Sequence, residues 1–364
     1  MSGLWLALAV NTGVIQFVHH DRLYQKSMSQ STESLTLKAE RGMITDRNGA
    51  RMAVTLNSAS YGVWPRKVAD PKTAAHMIAD ASGMSFNTVF NILTSKKKYV
   101  FLLRNAELET IRRMDAVLDS LNNPSRVKLK AFDRLPEQKR CYPLGKIGSH
   151  VIGYTDVDNQ GIEGLEKFFD RELAGSNGRS LVKRDAMQRT DQFIPEPVVE
   201  TRDGYNLKLT IDWRIQEIAE EELEAAVDSS KAKYGGLIVL DSGTGEILAM
   251  ANAPRFDPNN PASFNSLDPN FRRNRLVTDM LEPGSTFKIV TFAEALESGI
   301  INEDDPVDCH EGSYRVGNHT INDAHDMGVV PARDVLIHSS NIGTVEIAQR
   351  IGKKHLYERA RLFG

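Results

Sequence analysis

Cysteine is nearly absent: the 364-residue chain has two, Cys141 and Cys309. They stand far apart, in regions assigned below to different domains, which rules out a disulfide framework, and both read as free thiols. The usual zinc patterns are missing as well. None of the nine histidines belongs to a His-Glu-x-x-His. Cys309, His310, His319 and His325 cluster without zinc-ligand spacing, so no metal is expected. Neither sign of charge dominates: 45 Lys and Arg against 48 Asp and Glu leave a net charge of -3. That removes the electrostatic reason to expect a nucleic-acid partner. Internal repeats and low-complexity stretches are lacking, and a 41% hydrophobic, 26% charged composition belongs to a folded protein able to bury a large core. Two domains are the prior for this length.

A hydrophobic run of full bilayer length is lacking too. Residues 3–18, GLWLALAVNTGVIQFV, carry no charge but are interrupted by Asn11, Thr12 and Gln16, and they fall short of the roughly 20 residues that span a bilayer core. No Lys or Arg precedes them and no A-x-A-like cleavage site follows. Three readings remain: a clipped transmembrane anchor, a signal peptide and a buried core helix. The start looks cut and the following residues 19–22 are polar, so the anchor is preferred, with residues 1–22 as a partial single-pass span. Residues 23–38, rich in Ser, Thr and Gln, then read as a solvated stalk.

What is present begins at residue 41. RGMITDRNGARMAVT (41–55) predicts two short strands around Asn48-Gly49, the strongest short hairpin signal. Residues 71–105 carry helical spacing in Ala74, Ile78, Met84 and Val89, and 108–121 predict a second amphipathic helix. Residues 140–166 hold Pro143 and five glycines and predict an irregular, surface-packed connector. Asp203-Gly204 opens a new unit: LKLTID (207–212) alternates as a strand, and Ile215, Ile218, Leu223 and Val227 follow at helical spacing. The boundary is placed near 205. GGLIVLDSGTGEILAMA (235–251) predicts a hairpin turning at Asp241–Gly245; a strand and not a helix follows its glycines, which argues against a phosphate loop.

The chemistry concentrates in Glu282-Pro-Gly-Ser-Thr-Phe-Lys288. Pro283 and Gly284 stop a loop; Ile289, Phe292, Ala293 and Leu296 predict a buried helical stripe ending at Gly299. Ser285 then lies at a helix N-terminus with Lys288 three residues on and on the same face. A serine needs a base to become a nucleophile, and lysine can serve only if burial and the helix dipole pull its pKa down from about 10.4. Ser-x-x-Lys taken alone reads rather as an N-cap serine beside a solvated lysine. A second cluster, His338-Ser339-Ser340-Asn341, follows a short helical segment opened by Pro331 and precedes another helix ending at Ile351-Gly352. Its Ser-x-Asn can offer a hydroxyl to relay a proton and an amide to hold a carbonyl, or can be an ordinary Asx or Ser turn.

Taken in order, RGMITDRNG, the run from Arg140-Cys-Tyr-Pro through Gly153-Tyr-Thr-Asp to Gly161-Ile-Glu-Gly-Leu-Glu166, LTIDWRIQ, EPGSTFK and SSN resemble the class B penicillin-binding proteins, serine D,D-transpeptidases that cross-link peptidoglycan. The resemblance covers nearly the whole chain. It implies an α+β architecture: an elongated pedestal (23–205), of the penicillin-binding protein dimerisation type, and a transpeptidase domain (206–364) of helices around an antiparallel sheet. It implies Ser285 as the acylated nucleophile, Lys288 as general base, Ser339 and Asn341 as second-motif residues, and no cofactor. The partners it implies are stem peptides ending in D-Ala-D-Ala, β-lactams that mimic them, a polytopic membrane glycosyltransferase and divisome proteins. The implied place is the cytoplasmic membrane, with the bulk of the chain outside the cytoplasm. The motif spacing resembles the division-specific type; an elongation-specific enzyme, a β-lactam sensor or hydrolase of the same fold, and a non-catalytic scaffold are the alternatives. The family's third motif, Lys-Thr-Gly or Lys-Ser-Gly, does not follow Asn341, so the catalytic domain is expected to be incomplete at its C-terminus.

Overall fold

Asn48-Gly49 turns the chain back on itself, as expected, in a computed structural model that describes residues 32–122, 130–184, 190–193, 199–260 and 268–364, together with Gly3, Trp5 and Thr12. The rest of the anchor expected over 1–22 lies outside the described residues; among these, no helix is long and apolar enough to cross a membrane. Two compact units are distinguished, Met1–Thr278 and Asp279–Gly364.

In the first unit, β1 (Thr32–Leu37) precedes the hairpin of β2 (Ile44–Thr45) and β3 (Arg51–Val63). Asp46 closes that hairpin: one of its carboxylate oxygens accepts from the Asn48 and Ala50 amides at 2.8 and 2.7 Å. Gly49 supplies the φ of 88° the turn requires. β3 is thirteen residues long and runs past the expected end at residue 55, because its edges find partners downstream. Beyond it come α1 (Pro71–Ser82) and α2 (Phe86–Leu93), capped by Asp70 and Ser85. The helical reading of 71–105 fails at its end: residues 100–106 form β4 (Val100–Ala106), since VFLLRNA has no polar stripe and β3 offers an open edge. α3 (Leu108–Leu121) matches its predicted span, and β5 (Phe132–Cys141) pairs along β3 from Val54 to Val63. Tyr61, Ile78, Val89, Leu93, Met114 and Phe132 fill the core between sheet and helices.

The connector 140–166 is irregular, as expected, yet not surface-packed. Its short β6 (Tyr154–Thr155) and β7 (Gly161–Glu163) pair with each other, and Tyr142, Ile152 and Tyr154 are buried with Ile44, Met52, Leu173 and Ile211. Gly153 is obligatory there: a Cβ would lie 1.8 Å from the Glu163 carbonyl oxygen. What draws this polar segment inward is charge pairing. Glu166, 0% exposed, accepts from Arg41 Nε and Arg140 Nε, each at 2.7 Å, and Arg41 also reaches Asp170 at 2.7 Å.

β8 (Gly178–Arg184) lies between β1 and β9 (Thr190–Phe193). The strand expected over 207–212 is reduced to β10 (Leu207–Lys208), which pairs parallel with β2. α4 (Trp213–Ser230) follows, with Asp212 as its cap. Most of the predicted apolar stripe is inward, with Leu223 buried and Ile215 and Val227 packed beside it, but Ile218 is 61% exposed, and Gln216 and Glu220 are buried as well. Gln216 bonds both the amide and the carbonyl of Met250, and Glu220 accepts from Gln216 and from the Gly148 amide, so buried hydrogen bonds share this face with apolar packing. β11 (Gly235–Leu240) and β12 (Ile247–Ala253) form the predicted hairpin.

The second unit opens with a 3₁₀ turn, Gly284–Phe287, running into α5 (Lys288–Glu297). β13 (Pro306–Asp308), the hairpin of β14 (Ser313–Val316) and β15 (His319–Asn322), and β16 (Val329–Pro331) follow; β13 pairs antiparallel with β16. The chain then folds as α6 (Ala332–Ile337), α7 (Asn341–Ile351) and α8 (Lys353–Leu362). Phe292, Ala295, Ile301, Val307, Cys309, Val335 and Ile347 form its core, and both cysteines are free.

Candidate active site

Pro283 and Gly284 force a tight entry, and the chain answers with a 3₁₀ turn rather than an α-helical one. In such a turn side chains three apart eclipse, so Ser285 and Lys288 point the same way. The predicted stripe is displaced accordingly. Lys288, Thr291, Phe292 and Ala295 are buried, while Ile289 is 56% exposed and Leu296 is also exposed. Lysine takes the inward position because partners await it there. Its Nζ donates to the Ser339 carbonyl at 2.5 Å and to Ser339 Oγ at 2.9 Å.

Ser339 sits between α6 and α7 with φ 55°, a left-handed conformation that costs a non-glycine residue about 1 kcal/mol or more. The turn is so tight because α7 starts at Asn341, one residue after its cap: Ser340 Oγ accepts from the Gly343 amide at 2.9 Å. From this kink Ser339 Oγ donates to Ser285 Oγ at 3.2 Å. Three of the four expected residues therefore form one connected line, Ser285 to Ser339 to Lys288. Lys288 reaches the nucleophile candidate through a hydroxyl, not directly.

Asn341 stands apart from that line. Its amide nitrogen donates to the Asn322 carbonyl at 3.1 Å, and the side chain is exposed.

Asp323, a residue without a sequence signal, organises the site from below. Its carboxylate accepts from the Asn341 amide at 2.5 Å and the Ile342 amide at 3.2 Å, and from the Ser340 hydroxyl. A carboxylate on the first amides of a helix meets donors that have no intrahelical partner and a favourable dipole. Asp323 thereby fixes where α7 begins and how Ser339 is presented. Nothing in the sequence flags it, since its partners lie 17 to 19 residues away. The one available clue was a helix N-terminus in need of an acceptor.

Lys288 is 7% exposed. Burial pulls its pKa below the ordinary lysine value, and the Asp323 charge opposes that shift without overcoming it. The acceptors around its Nζ, the Ser339 carbonyl and hydroxyl, stabilise the ammonium, so the lowering comes from burial alone. Beneath the loop, Cys309 is fully buried with its Sγ 3.4 Å from Ser340 Oγ. His310 stacks on Tyr314 and bonds Glu346. Among the described residues no group of three or more His, Cys, Asp or Glu could hold a metal.

Residues 36–209 match the penicillin-binding protein dimerisation domain and residues 235–364 the penicillin-binding protein transpeptidase domain. The chain is 32% identical to the probable peptidoglycan D,D-transpeptidase PenA of Neisseria meningitidis, over 94% of this chain and 57% of that protein. It is 31% identical to the peptidoglycan D,D-transpeptidase FtsI of Escherichia coli, over 99% of this chain and 60% of that protein. It is also 31% identical to the stage V sporulation protein D of Bacillus subtilis, over 99% of this chain and 55% of that protein. The chain thus spans less than two thirds of the length of these relatives. In fold it resembles penicillin-binding protein 2X of Streptococcus thermophilus, with a TM-score of 0.67 at 21% identity over 91% of this chain and 52% of that one.

Proposed function

Because the chain belongs to the class B penicillin-binding proteins, we propose that it is the greater part of a serine D,D-transpeptidase that cross-links peptidoglycan through a Ser285 acyl-enzyme. The observation that carries this reading is the line from Ser285 Oγ through Ser339 Oγ to Lys288 Nζ, at 3.2 and 2.9 Å. A neutral Lys288 takes the proton of Ser339 as Ser339 takes that of Ser285. Ser285 Oγ adds to the carbonyl of the penultimate D-Ala of a stem peptide. The proton returns along the same line to the departing nitrogen, the terminal D-Ala leaves, and an ester to Ser285 remains. The amine of a neighbouring stem then attacks that ester, giving up a proton to the same relay and releasing Ser285. Asn341 holds a substrate carbonyl from the rim. A β-lactam enters as the donor peptide does and stops at the ester.

Residues 23–205 act as a pedestal that positions the catalytic domain, and a tether through residues 4–18 holds the protein at the outer face of the cytoplasmic membrane. A polytopic glycosyltransferase supplies the glycan strands, alongside divisome proteins. A septal role is supported by the spacing of the pedestal motifs and by the likeness to FtsI; depletion that yields short or rounded cells instead of filaments would refute it.

A fluorescent penicillin tests the core of the reading in the full-length protein. Covalent labelling is expected, lost completely in Ser285→Ala, with the adduct on the tryptic peptide containing Ser285. An adduct on Ser339 or Ser340, or labelling that survives in Ser285→Ala, would remove Ser285 from its role. Rapid release of the adduct by water would make the protein a β-lactam hydrolase.

A further inference from the structure

The end of β3 carries a basic and aromatic face that the transpeptidase reading leaves unused. Trp64-Pro-Arg-Lys67 leaves the strand there, and Lys96-Lys-Lys98-Tyr99 enters β4 beside it, because Val63 pairs with Val100. The two segments touch: Arg66 donates to the Lys96 carbonyl at 3.3 Å, and the Trp64 and Tyr99 rings lie 4.9 Å apart. Lys67 Nζ sits 4.7 Å above Trp64, and Phe101, 39% exposed, meets Tyr99 at 5.6 Å.

Arg66, Lys67, Lys96, Lys97 and Lys98 are all exposed. Among the described residues none of the five forms an ion pair, and the neighbouring acids are already engaged. Asp70 caps α1, Asp133 pairs with Lys130, and Glu137 pairs with Arg104. Five like charges within two turns make a local positive patch that attracts anions.

The position narrows what that is. At the other end of β3, the 46–49 turn grips the start of α4: the Arg47 amide donates to the Ile211 carbonyl and Asn48 to Asp212. Thirteen strand residues separate the two ends, roughly 40 Å at about 3.3 Å per residue. The basic face is therefore remote from the start of α4. Its cations spread over two turns, and no guanidinium fork cradles a single carboxylate or phosphate. Tyr99 turns its hydroxyl inward over Gly62, so what faces out is dispersed Lys and Arg beside Trp64 and Phe101, the composition of a protein surface that rests on an anionic bilayer with its ammonium groups among phosphates.

We propose that the face formed by residues 64–67 and 96–101 docks on a bilayer surface containing anionic phospholipid. The proposal rests on the membrane-tethered reading above for what brings this face to a bilayer. Docking would fix the pedestal's tilt at the membrane, which the tether alone does not.

The test is lysine acetylation read by mass spectrometry on the full-length protein, reconstituted in phosphatidylcholine bilayers with and without phosphatidylglycerol. Lys67, Lys96, Lys97 and Lys98 should be acetylated more slowly with the anionic lipid, by about fivefold, the effect on partitioning expected for each cation at such a surface. Lys354, on α8, should not change. The protection should vanish in roughly 1 M salt, where the screening length is about 3 Å, and Trp64 should be quenched by brominated lipid in the wild type but not in Lys96→Glu/Lys97→Glu/Lys98→Glu. Equal acetylation in both bilayers would overturn the proposal, as would protection conferred only by an acidic protein or by soluble glycan strands. Failure of the protein to associate with either bilayer would instead overturn the tether.

Discussion

Two buried charged clusters, one in each unit, differ in how their charges are met. In the first unit Glu166 has an arginine on each carboxylate oxygen, and Asp170 takes part of what remains of Arg41. In the second, Lys288 is as well hidden but meets only a hydroxyl and a carbonyl of Ser339; no carboxylate lies within ion-pair distance among the described residues. The paired cluster fastens residues 41, 140 and 166 into one body. Burial without an ion-pair partner lowers the Lys288 pKa, the direction that favours a neutral amine able to accept a proton. Burial alone does not make a site; burial without a counter-charge does.

Substitution at each cluster sharpens the difference. Lys288→Met in the full-length protein should slow acylation by a fluorescent penicillin by about 10²–10⁴-fold, and should leave the urea midpoint nearly unchanged, because a buried cation is replaced by an apolar chain of similar length. If Lys288→Met unfolded the protein, the lysine would belong with the structural charges. Glu166→Ala is expected to do the reverse. It strands Arg41 and Arg140 in the interior, and about 3–5 kcal/mol of stability should be lost, read as a fall in denaturation midpoint at unchanged slope. A loss under about 1 kcal/mol would mean that water reaches the arginines and that the two clusters are not different in kind.

The smallest effect belongs to Asp323→Asn, and its direction is informative. The Asp323 charge raises the Lys288 pKa against the effect of burial, and acylation requires the neutral amine. Removing the charge should move the rising limb of the acylation profile to lower pH, while weaker capping of α7 costs about 1–2 kcal/mol of stability. A limb that stays in place, or moves to higher pH, would show that Asp323 acts on the loop alone.

Much of the fold could be read because it rests on local rules. The hairpin at Asn48-Gly49, α3 over 108–121 and the hairpin at Asp241–Gly245 follow from turn chemistry and periodicity within a dozen residues. Reading failed wherever a distant partner decided. Residues 100–106 became a strand because β3 had an edge to fill. α4 turned Gln216 and Glu220 inward because Met250 and Gly148 offered backbone groups to bond. The connector 140–166 went inside because Glu166 found Arg41, 125 residues earlier. The stripe on α5 rotated for the same kind of reason, since Ser339 made an inward lysine favourable.

From its sequence alone the chain determined the order of its motifs, the family they belong to, and the same-side placement of Ser285 and Lys288, because a spacing of three acts within a single helical turn. Only the tertiary structure decided that Ser339 stands between them, that Asp323 holds the loop bearing Ser339, and that Lys288 is dry and unpaired. Those contacts join residues 54, 51 and 17 to 19 positions apart. They exist because α5 packs against α7 and because β15 delivers a carboxylate to the exposed amides at the start of α7, and side-chain hydrogen bonds reach about 3 Å, a distance that sequence separation neither guarantees nor forbids.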